Sequence, residues 1–291
     1  MDAEFLHHPL VQSGAVPFLA AFVTAVLMRG AFGVRLGGAF ASLAAVIGFL
    51  AAYGVIMGVP PAFPRSANQK LPYIALAALF LGAVGEAVVP LRRVSGLLVF
   101  AAGAAAVLWL GERTLLAGVT SAIFPVGLAV AGGFVLWRLH RIGADNERRM
   151  DASAVLLVTA IAAAMLGLHG ASNAVTQLGF ALAAALGGFF LINWPAPSCD
   201  AGPALTLGAG VPLLSLVALL ALFTDVHPLS LALLAVAVLA GEAAQRLPLP
   251  HGPFGIALSP LLAAAIAAVP AAAAVYLTAV SRSGGALWPR F

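Results

Sequence analysis

Two glutamates in otherwise apolar stretches are the residues best placed to do chemistry. Glu86 and Glu242 each fall about one turn from the end of an apolar run that is long enough to cross a membrane. An ionised side chain inside the hydrocarbon costs about 2.5 to 3.5 kcal/mol on insertion scales, so such a group usually faces a cavity or a charged partner. Glu242 also precedes Arg246 by four residues, a spacing that allows an ion pair on one helix face.

Two interpretations of these glutamates stay open. In the first, they form a proton or cation site that is shared by the two halves of the chain. In the second, both carboxylates lie at the level of the lipid headgroups and neutralise nearby arginines. Their shallow depth favours the second interpretation, because a charged side chain can reach the interface from there at little cost.

A polar cluster between two apolar runs is the other candidate site. It reads His169-Gly-Ala-Ser-Asn173 and continues to Gln177. A tight turn explains much of it, because Gly170 can end one helix in a left-handed conformation and Ser172 or Asn173 can cap the next. Asn173 and Gln177 would then lie one turn apart on the same face, where they could line a vestibule for a polar ligand.

No motif supports catalysis, a metal ion or a cofactor. The chain lacks a Gly-x-Ser-x-Gly nucleophile elbow, a His-Glu-x-x-His zinc helix and a Gly-rich phosphate loop with a lysine. No lysine falls inside a predicted span, which argues against a Schiff-base chromophore. We therefore predict no catalytic residue, metal or cofactor; a lipid-modifying enzyme would have to use Glu86, Glu242 and Arg246 at one membrane face.

The composition predicts that these residues are positioned by a bundle of membrane helices. Of 291 residues, 63% are hydrophobic and 8% are charged, and the mean hydropathy is +1.08; soluble domains are about 25% charged. Apolar runs of about 18 or more residues recur along the chain, each long enough to cross roughly 30 Å of hydrocarbon as a helix. The predicted fold class is all-α, a polytopic transmembrane helix bundle of about ten spans.

We expect one integral membrane domain over residues 1–291. Its approximate halves, 1–138 and 152–291, are joined by a charged cytoplasmic loop over 139–151. The predicted spans are Leu10 to Met28, Leu36 to Val59, Leu71 to Val89, Val94 to Leu110, Leu115 to Leu136, Ala152 to His169, Asn173 to Trp194, Ala204 to Phe223, Leu229 to Ala244 and Phe254 to Val280.

The basic residues predict the orientation of these spans. Nine lie on one side of the ten predicted helices and five on the other, so the positive-inside rule places the richer side in the cytoplasm and both termini outside it. The richer side holds Arg29, Arg35, Arg92, Arg93, Arg138, Arg141, Arg148, Arg149 and Arg246. The poorer side holds Arg65, Lys70, Arg113, Arg282 and Arg290.

Charge and composition also predict the location. The net charge of +4 comes from basic residues scattered among short loops, so it indicates topology and not a nucleic-acid partner. Met1 to His8 contains no Lys or Arg, so we expect the first apolar run to remain as a membrane anchor beside the lipid bilayer. The preference for Arg over Lys and the high Ala content favour a bacterial source, and hence the inner membrane.

A possible internal duplication links the two glutamates. Gly85-Glu-Ala87 matches Gly241-Glu-Ala243 at an offset of 156 residues, which lays predicted helices one to three over seven to nine. Both glutamates would then fall near the cytoplasmic ends of equivalent helices, as a parallel repeat requires. In an Ala-rich chain, chance can produce a match of three residues, so duplication and coincidence both stay open.

Small residues recur at fourth positions in two places. Gly33 and Gly37 form one pair, and Gly179, Ala183 and Gly187 form a longer stripe. Such stripes let helix backbones approach closely, either within one chain or between two chains.

Prolines inside the predicted spans each remove a backbone hydrogen bond and tend to kink the helix. Transporters use such breaks for binding, but kinked packing helices contain proline as well, and that structural interpretation is favoured. These prolines are Pro17, Pro125, Pro212, Pro260 and Pro270.

Two functions are compatible with these patterns. In size, helix count and a Gly-Glu that ends one helix before another apolar run, the chain resembles the ten-helix permeases of the drug/metabolite transporter superfamily. It departs from them in its predicted outside termini and its parallel repeat, since that family has inverted five-helix halves.

The first hypothesis is a secondary permease for a small, weakly polar or amphipathic solute, with Glu86 and Glu242 as coupling or gating carboxylates and Asn173 and Gln177 near the entrance.

The alternative is a non-catalytic membrane subunit that scaffolds or assembles a larger complex. It would bind a membrane-protein partner or a second copy of itself through the small-residue helix faces. It requires no polar pathway, which agrees with the few polar residues in the predicted spans.

Overall fold

The computed structural model describes residues 8–33, 37–88, 93–143, 150–195, 199, 202–250 and 252–282. Over these residues the chain is all-helical and contains no strand. Ten apolar helices are described: α1 Val11–Phe32, α2 Ala44–Met57, α3 Ala67–Ala87, α4 Ser95–Leu110, α5 Val119–Gly143, α6 Asp151–His169, α7 Asn173–Asn193, α8 Pro203–Phe223, α9 Pro228–Gln245 and α10 Pro253–Arg282.

Eight of these helices are long and apolar enough to cross a membrane, and α2 and α4 are shorter. The short helix Gly38–Ala41 precedes α2, and the intervening Ser42 and Leu43 also have right-handed helical φ and ψ angles. The helical path through α2 is therefore about 20 residues, or roughly 30 Å. Eight spans are supported by length and composition, and ten spans stay a prediction.

Helix α8 lies at the centre of the bundle. It contacts α2 to α7 and α9, and 83% of its most apolar window is buried, against 17% for α1. The outer helices instead expose large apolar side chains such as Leu27, Val130 and Val269. Exposed apolar surface on this scale is typical of contact with lipid.

Proline interrupts the regular path of the central helix. A π-helical turn, Thr206–Gly210, precedes Pro212 in α8, just as the π-helical turn Val11–Ala15 precedes Pro17 in α1. Proline lacks an N–H and its ring crowds the preceding turn, and a wider turn accommodates both effects. Pro125 lies inside α5, and Pro260 and Pro270 lie inside α10, as the sequence predicted.

Small residues bring the helices close together within this one chain. A Cβ added at Gly179 of α7 would lie 2.9 Å from Cα of Ala164 on α6. A Cβ at Gly37 would lie 2.5 Å from the Met28 carbonyl oxygen. The glycines that could have served contacts between chains are thus used at least partly inside the bundle.

Interhelical hydrogen bonds define two ends of the bundle. At one end, Lys70 at the start of α3 reaches Trp109 at the end of α4. At the other end, Arg138 near the end of α5 reaches Glu242 near the end of α9. We refer to these as the Lys70 end and the Glu242 end.

Candidate functional site

A cavity of about 440 Å³ opens at the Lys70 end. This volume falls in the range of about 300 to 1,000 Å³ that is usual for small-molecule sites. Its lining comes from the α2–α3 connection, α4 and the residues just after it, the α6–α7 turn and the end of α8. The lining residues are Arg65, Ser66, Ala67, Asn68, Lys70, Leu110, Arg113, Gly170, Ala171, Ser172, Val175, Leu219, Phe223, Thr224 and Asp225.

Lys70 is the buried charge of this cavity, with 4% of its surface exposed. Its ammonium donates a hydrogen bond to the Trp109 carbonyl at 2.8 Å and lies 3.0 Å from Oε2 of Glu112. It also lies 5.6 Å from the centre of the Trp109 ring, within cation–π range. An ammonium has three donors, and these contacts account for two of them.

The N-terminus of α3 places Lys70 in the cavity. Ser66 and Gln69 form a capping box, in which each side chain accepts a hydrogen bond from the other residue's backbone N–H. The helix therefore begins at Ala67, four residues before the predicted start at Leu71. The sequence prediction that no lysine lies inside a span is wrong, because Lys70 belongs to the first turn of α3.

Two arginines add to the positive charge at the cavity mouth. Arg113 donates from its guanidinium to the Arg65 backbone carbonyl at 2.7 Å, which joins the chain after α4 to the chain before α3. Asp225 is the carboxylate in the lining. The three cations of the lining exceed the two carboxylates, Asp225 and the Lys70 partner Glu112, by one positive charge.

The cavity lining also contains apolar side chains. Leu110, Val175 and Leu219 are almost fully buried, and Phe223 at the end of the central helix is exposed. The cavity therefore combines cations with the apolar surface of Phe223, an arrangement that fits an amphipathic molecule.

The cluster from His169 to Asn173 forms the predicted turn, but its left-handed residue and its cap contacts differ from those predicted. Helix α6 ends at His169 and α7 begins at Asn173. The left-handed residue is Ala171, with φ of 58°, and Gly170 has φ of −80°. Gly170 is required for space instead, because an added Cβ would lie 2.7 Å from Cγ2 of Val226. Ser172 occupies the cap position, and the Thr176 amide bonds to its carbonyl and not to its side chain.

The structure places Asn173 and Gln177 beside the cavity but not in its lining. Asn173 is exposed and Gln177 is half-buried, and the lining at this point comes from Ser172 and Val175. His169 also lies at the Lys70 end, where its backbone carbonyl accepts a hydrogen bond from the Arg282 guanidinium. The predicted turn thus contributes Gly170, Ala171 and Ser172 to the cavity lining, and the role predicted for His169, Asn173 and Gln177 stays a prediction.

Glu86 lies at the opposite end of the bundle, with 6% of its surface exposed. Its Oε1 accepts a hydrogen bond from the Ala204 amide at 3.3 Å, at the start of the central helix α8. A carboxylate at a helix N-terminus offsets free backbone N–H groups and the positive end of the helix dipole. The two sequence interpretations of Glu86, a shared ion site and a neighbouring arginine, stay predictions beside this contact.

Glu242 pairs across the bundle and not along its own helix. The Arg138 guanidinium donates two hydrogen bonds to its carboxylate, with one nitrogen on each oxygen. Arg246, the partner suggested by spacing, is exposed after the end of α9. Gln245 donates to the Ile142 carbonyl at 3.0 Å, which adds a second tie between α9 and α5.

Other polar pairs at the Glu242 end were not anticipated. Ser95 Oγ and His140 Nε2 lie 2.8 Å apart and join α4 to α5. Ser259 on α10 donates to Oδ2 of Asp151 on α6 at 2.8 Å. Helix α5 continues to Gly143, so His140 is helical although its position was assigned to the charged loop; residues 144–149 of that loop lie outside the described residues.

The two Gly-Glu-Ala stretches of the possible duplication have different surroundings. Glu86 contacts the start of α8, and Glu242 contacts the end of α5. The parallel repeat therefore stays a prediction. The lipid-modifying alternative, which needs both glutamates to converge with Arg246, stays a prediction as well.

Within the described part of the chain, no three His, Cys, Asp or Glu side chains are grouped closely enough to hold a metal ion. Comparison of the chain with protein-family models, with curated proteins and with solved structures found no match. The two ends of this multi-pass membrane protein therefore carry the functional evidence.

Proposed function

We propose that this chain is a secondary permease that moves a small, weakly polar or amphipathic solute across a membrane. The observation that carries the proposal is the cavity of about 440 Å³ at the Lys70 end, which reaches the central helix at Leu219 and Phe223. Interhelical polar pairs tie helices together at the Glu242 end.

A cavity that opens at one end is what one state of an alternating-access carrier requires. A solute enters from the open end, and the opposite end has to separate before the solute can leave. The Arg138–Glu242 pair and the Gln245 contact tie α5 to α9, and the Ser95–His140 pair ties α4 to α5. Breaking such contacts would let these helices move apart, so we assign them a gating role.

The interrupted central helix supports the same proposal. Helix α8 contributes Leu219 and Phe223 to the cavity at one end. At its other end, the Ala204 amide donates to Glu86. Its π-helical turn Thr206–Gly210 and Pro212 lie between these points. π-Helical turns frequently mark functional sites, and broken helices line the binding sites of many transporters.

Orientation follows from the basic residues. We propose a bacterial inner membrane with the Glu242 end in the cytoplasm, so that the cavity opens outward, and with all ten helices crossing the bilayer. Arg35, Arg92, Arg148, Arg149 and Arg290, which contribute to this assignment, lie outside the described residues.

Uptake by reconstituted vesicles tests the proposal. The purified protein is inserted into proteoliposomes, and the entry of labelled amphipathic solutes is compared with entry into protein-free liposomes. We expect saturable uptake of at least one solute, and slower uptake by Glu242→Gln than by the exposed-residue control Arg93→Gln. Uptake equal to that of protein-free liposomes for every solute would contradict a permease.

A stable partner in native membranes would favour the membrane-subunit alternative. Of the glycines in the two stripes, Gly179 and Gly37 pack closely within the chain, whereas a Cβ at Gly33 or Gly187 would meet no atom nearer than 3.9 Å. The permease proposal predicts that mild-detergent purification yields the chain without a stoichiometric partner.

A further inference from the structure

We infer that the cavity at the Lys70 end binds the carboxylate of a small amphipathic organic anion. The inference rests on the proposed function, because it names the chemical class of the solute that would enter there. It follows from the types and arrangement of the side chains around the cavity.

The first step is the buried ammonium of Lys70. A cation with only 4% of its surface exposed would be costly without compensation, and Glu112 provides a counter-ion that is 45% exposed. Lys70 nevertheless belongs to the cavity lining. Its remaining donor is available to an anionic ligand, since Trp109 and Glu112 account for the other two.

The second step is the charge balance at the mouth of the cavity. Arg65 and Arg113 both line it, and the contact of Arg113 with the Arg65 carbonyl occupies one nitrogen of its guanidinium. A guanidinium has five donors in a planar fork that matches a carboxylate. Asp225 and Glu112 together do not cancel the three cations, so an anion is favoured over a cation.

The third step is the apolar side of the lining. Phe223 is 53% exposed and offers carbon surface, whereas Leu110, Val175 and Leu219 are almost fully buried. A fully hydrated inorganic anion gains nothing from this apolar surface, whereas an alkyl chain is removed from water against it. The combination selects a carboxylate that has a short apolar tail.

Hexanoate is a suitable probe. Binding of radiolabelled hexanoate to the purified full chain in detergent is measured against protein-free micelles, with displacement by unlabelled hexanoate, acetate, hexanamide or hexylamine. We expect saturable binding that hexanoate displaces best. Acetate should be weaker by about tenfold or more because it lacks the apolar tail, and hexanamide and hexylamine should not compete in the same range.

Three variants locate the binding site. Arg113→Gln, at an exposed position, and Lys70→Gln should each weaken hexanoate binding by about tenfold or more. Arg93→Gln, which removes an exposed cation at the Glu242 end, should bind as the wild type does. Competition by hexanamide equal to that by hexanoate, the absence of saturable binding, or wild-type binding by Arg113→Gln would each overturn the inference.

The same probe separates this inference from the proposed function. Uptake of neutral solutes by a protein that does not bind hexanoate would overturn the anion site and retain the permease. Saturable hexanoate binding without uptake of hexanoate or any other solute would retain the anion site and overturn the permease.

Discussion

The ammonium of Lys70 lies 3.0 Å from Oε2 of Glu112, with the lysine buried and the glutamate 45% exposed. The two partners therefore depend on each other unequally. Water can solvate the carboxylate of Glu112 if the lysine is removed, but it has little access to Lys70 if the glutamate is removed.

This asymmetry predicts which substitution is more destabilising. Glu112→Gln should lower the free energy of unfolding by about 1 to 3 kcal/mol, because it leaves a buried ammonium without its counter-ion. Lys70→Met should change it by less than about 1 kcal/mol, because Met fills most of the same volume and the remaining carboxylate is hydrated. Thermal unfolding in detergent measures both, and the reverse order would show that the pair does not compensate the buried charge.

The Arg138–Glu242 pair is predicted to hold the Glu242 end closed. Cys199, the single cysteine of the chain, is buried beside Asn193, whose side-chain oxygen accepts a hydrogen bond from the Cys199 amide. Glu242→Gln should increase the rate at which a small maleimide labels Cys199 several-fold, because the opened end admits the reagent.

Arg93→Gln provides the control for that experiment, since it removes an exposed charge at the same end and breaks no described interhelical pair. Equal labelling rates in wild type, Glu242→Gln and Arg93→Gln would show that Glu242 has no gating role.

Glu86 is predicted to stabilise the start of the central helix. Glu86→Ala should cost about 0.5 to 2 kcal/mol, because the Ala204 amide loses its acceptor inside the protein. Glu86→Gln should cost less, since the amide oxygen can still accept that bond. Gly202→Ala should also destabilise, because its Cβ would overlap the Glu86 carboxylate. Unfolding temperatures of the three variants check this, and an unchanged value for Glu86→Ala would exclude the capping role.

Two glycines of one stripe should respond differently to alanine. At Gly179, the added Cβ would lie 2.9 Å from Cα of Ala164, so Gly179→Ala should cost about 1 to 3 kcal/mol through overpacking. At Gly187, the nearest atom is 3.9 Å away, on Phe18, so Gly187→Ala should be neutral or stabilising by up to about 1 kcal/mol. Similar unfolding temperatures for both variants would contradict the close α6–α7 packing.

The helical elements could be predicted well because hydrophobicity and length carry that information locally. The end of α6 at His169, the start of α7 at Asn173 and the end of α8 at Phe223 agree with the predicted spans. The start of α3 was missed because residues 67–70 are partly polar, so hydropathy excluded them. The Ser66 and Gln69 capping box was readable from the sequence and would have placed Lys70 inside the helix.

The candidate site could be predicted only in part, because its contacts join distant segments. Glu242 and Arg138 are separated by 104 residues, and Glu86 and Ala204 by 118. Local spacing favoured Arg246 as the partner of Glu242, since a helix brings residues four apart to one face. No local pattern shows that α9 packs beside α5, so the true partner required the fold.

Blocking the cavity in a transporting protein tests the central claim most directly. Ser172, which lines the cavity, is replaced by Cys in a Cys199→Ala background, and solute uptake by proteoliposomes is measured before and after treatment with a bulky, membrane-impermeant thiol reagent. The account predicts that the reagent abolishes uptake by those Ser172→Cys molecules whose cavity faces the reagent. Uptake by the Cys199→Ala parent, which has no cysteine, should not change. Undiminished uptake after complete labelling of those molecules would contradict entry through this cavity.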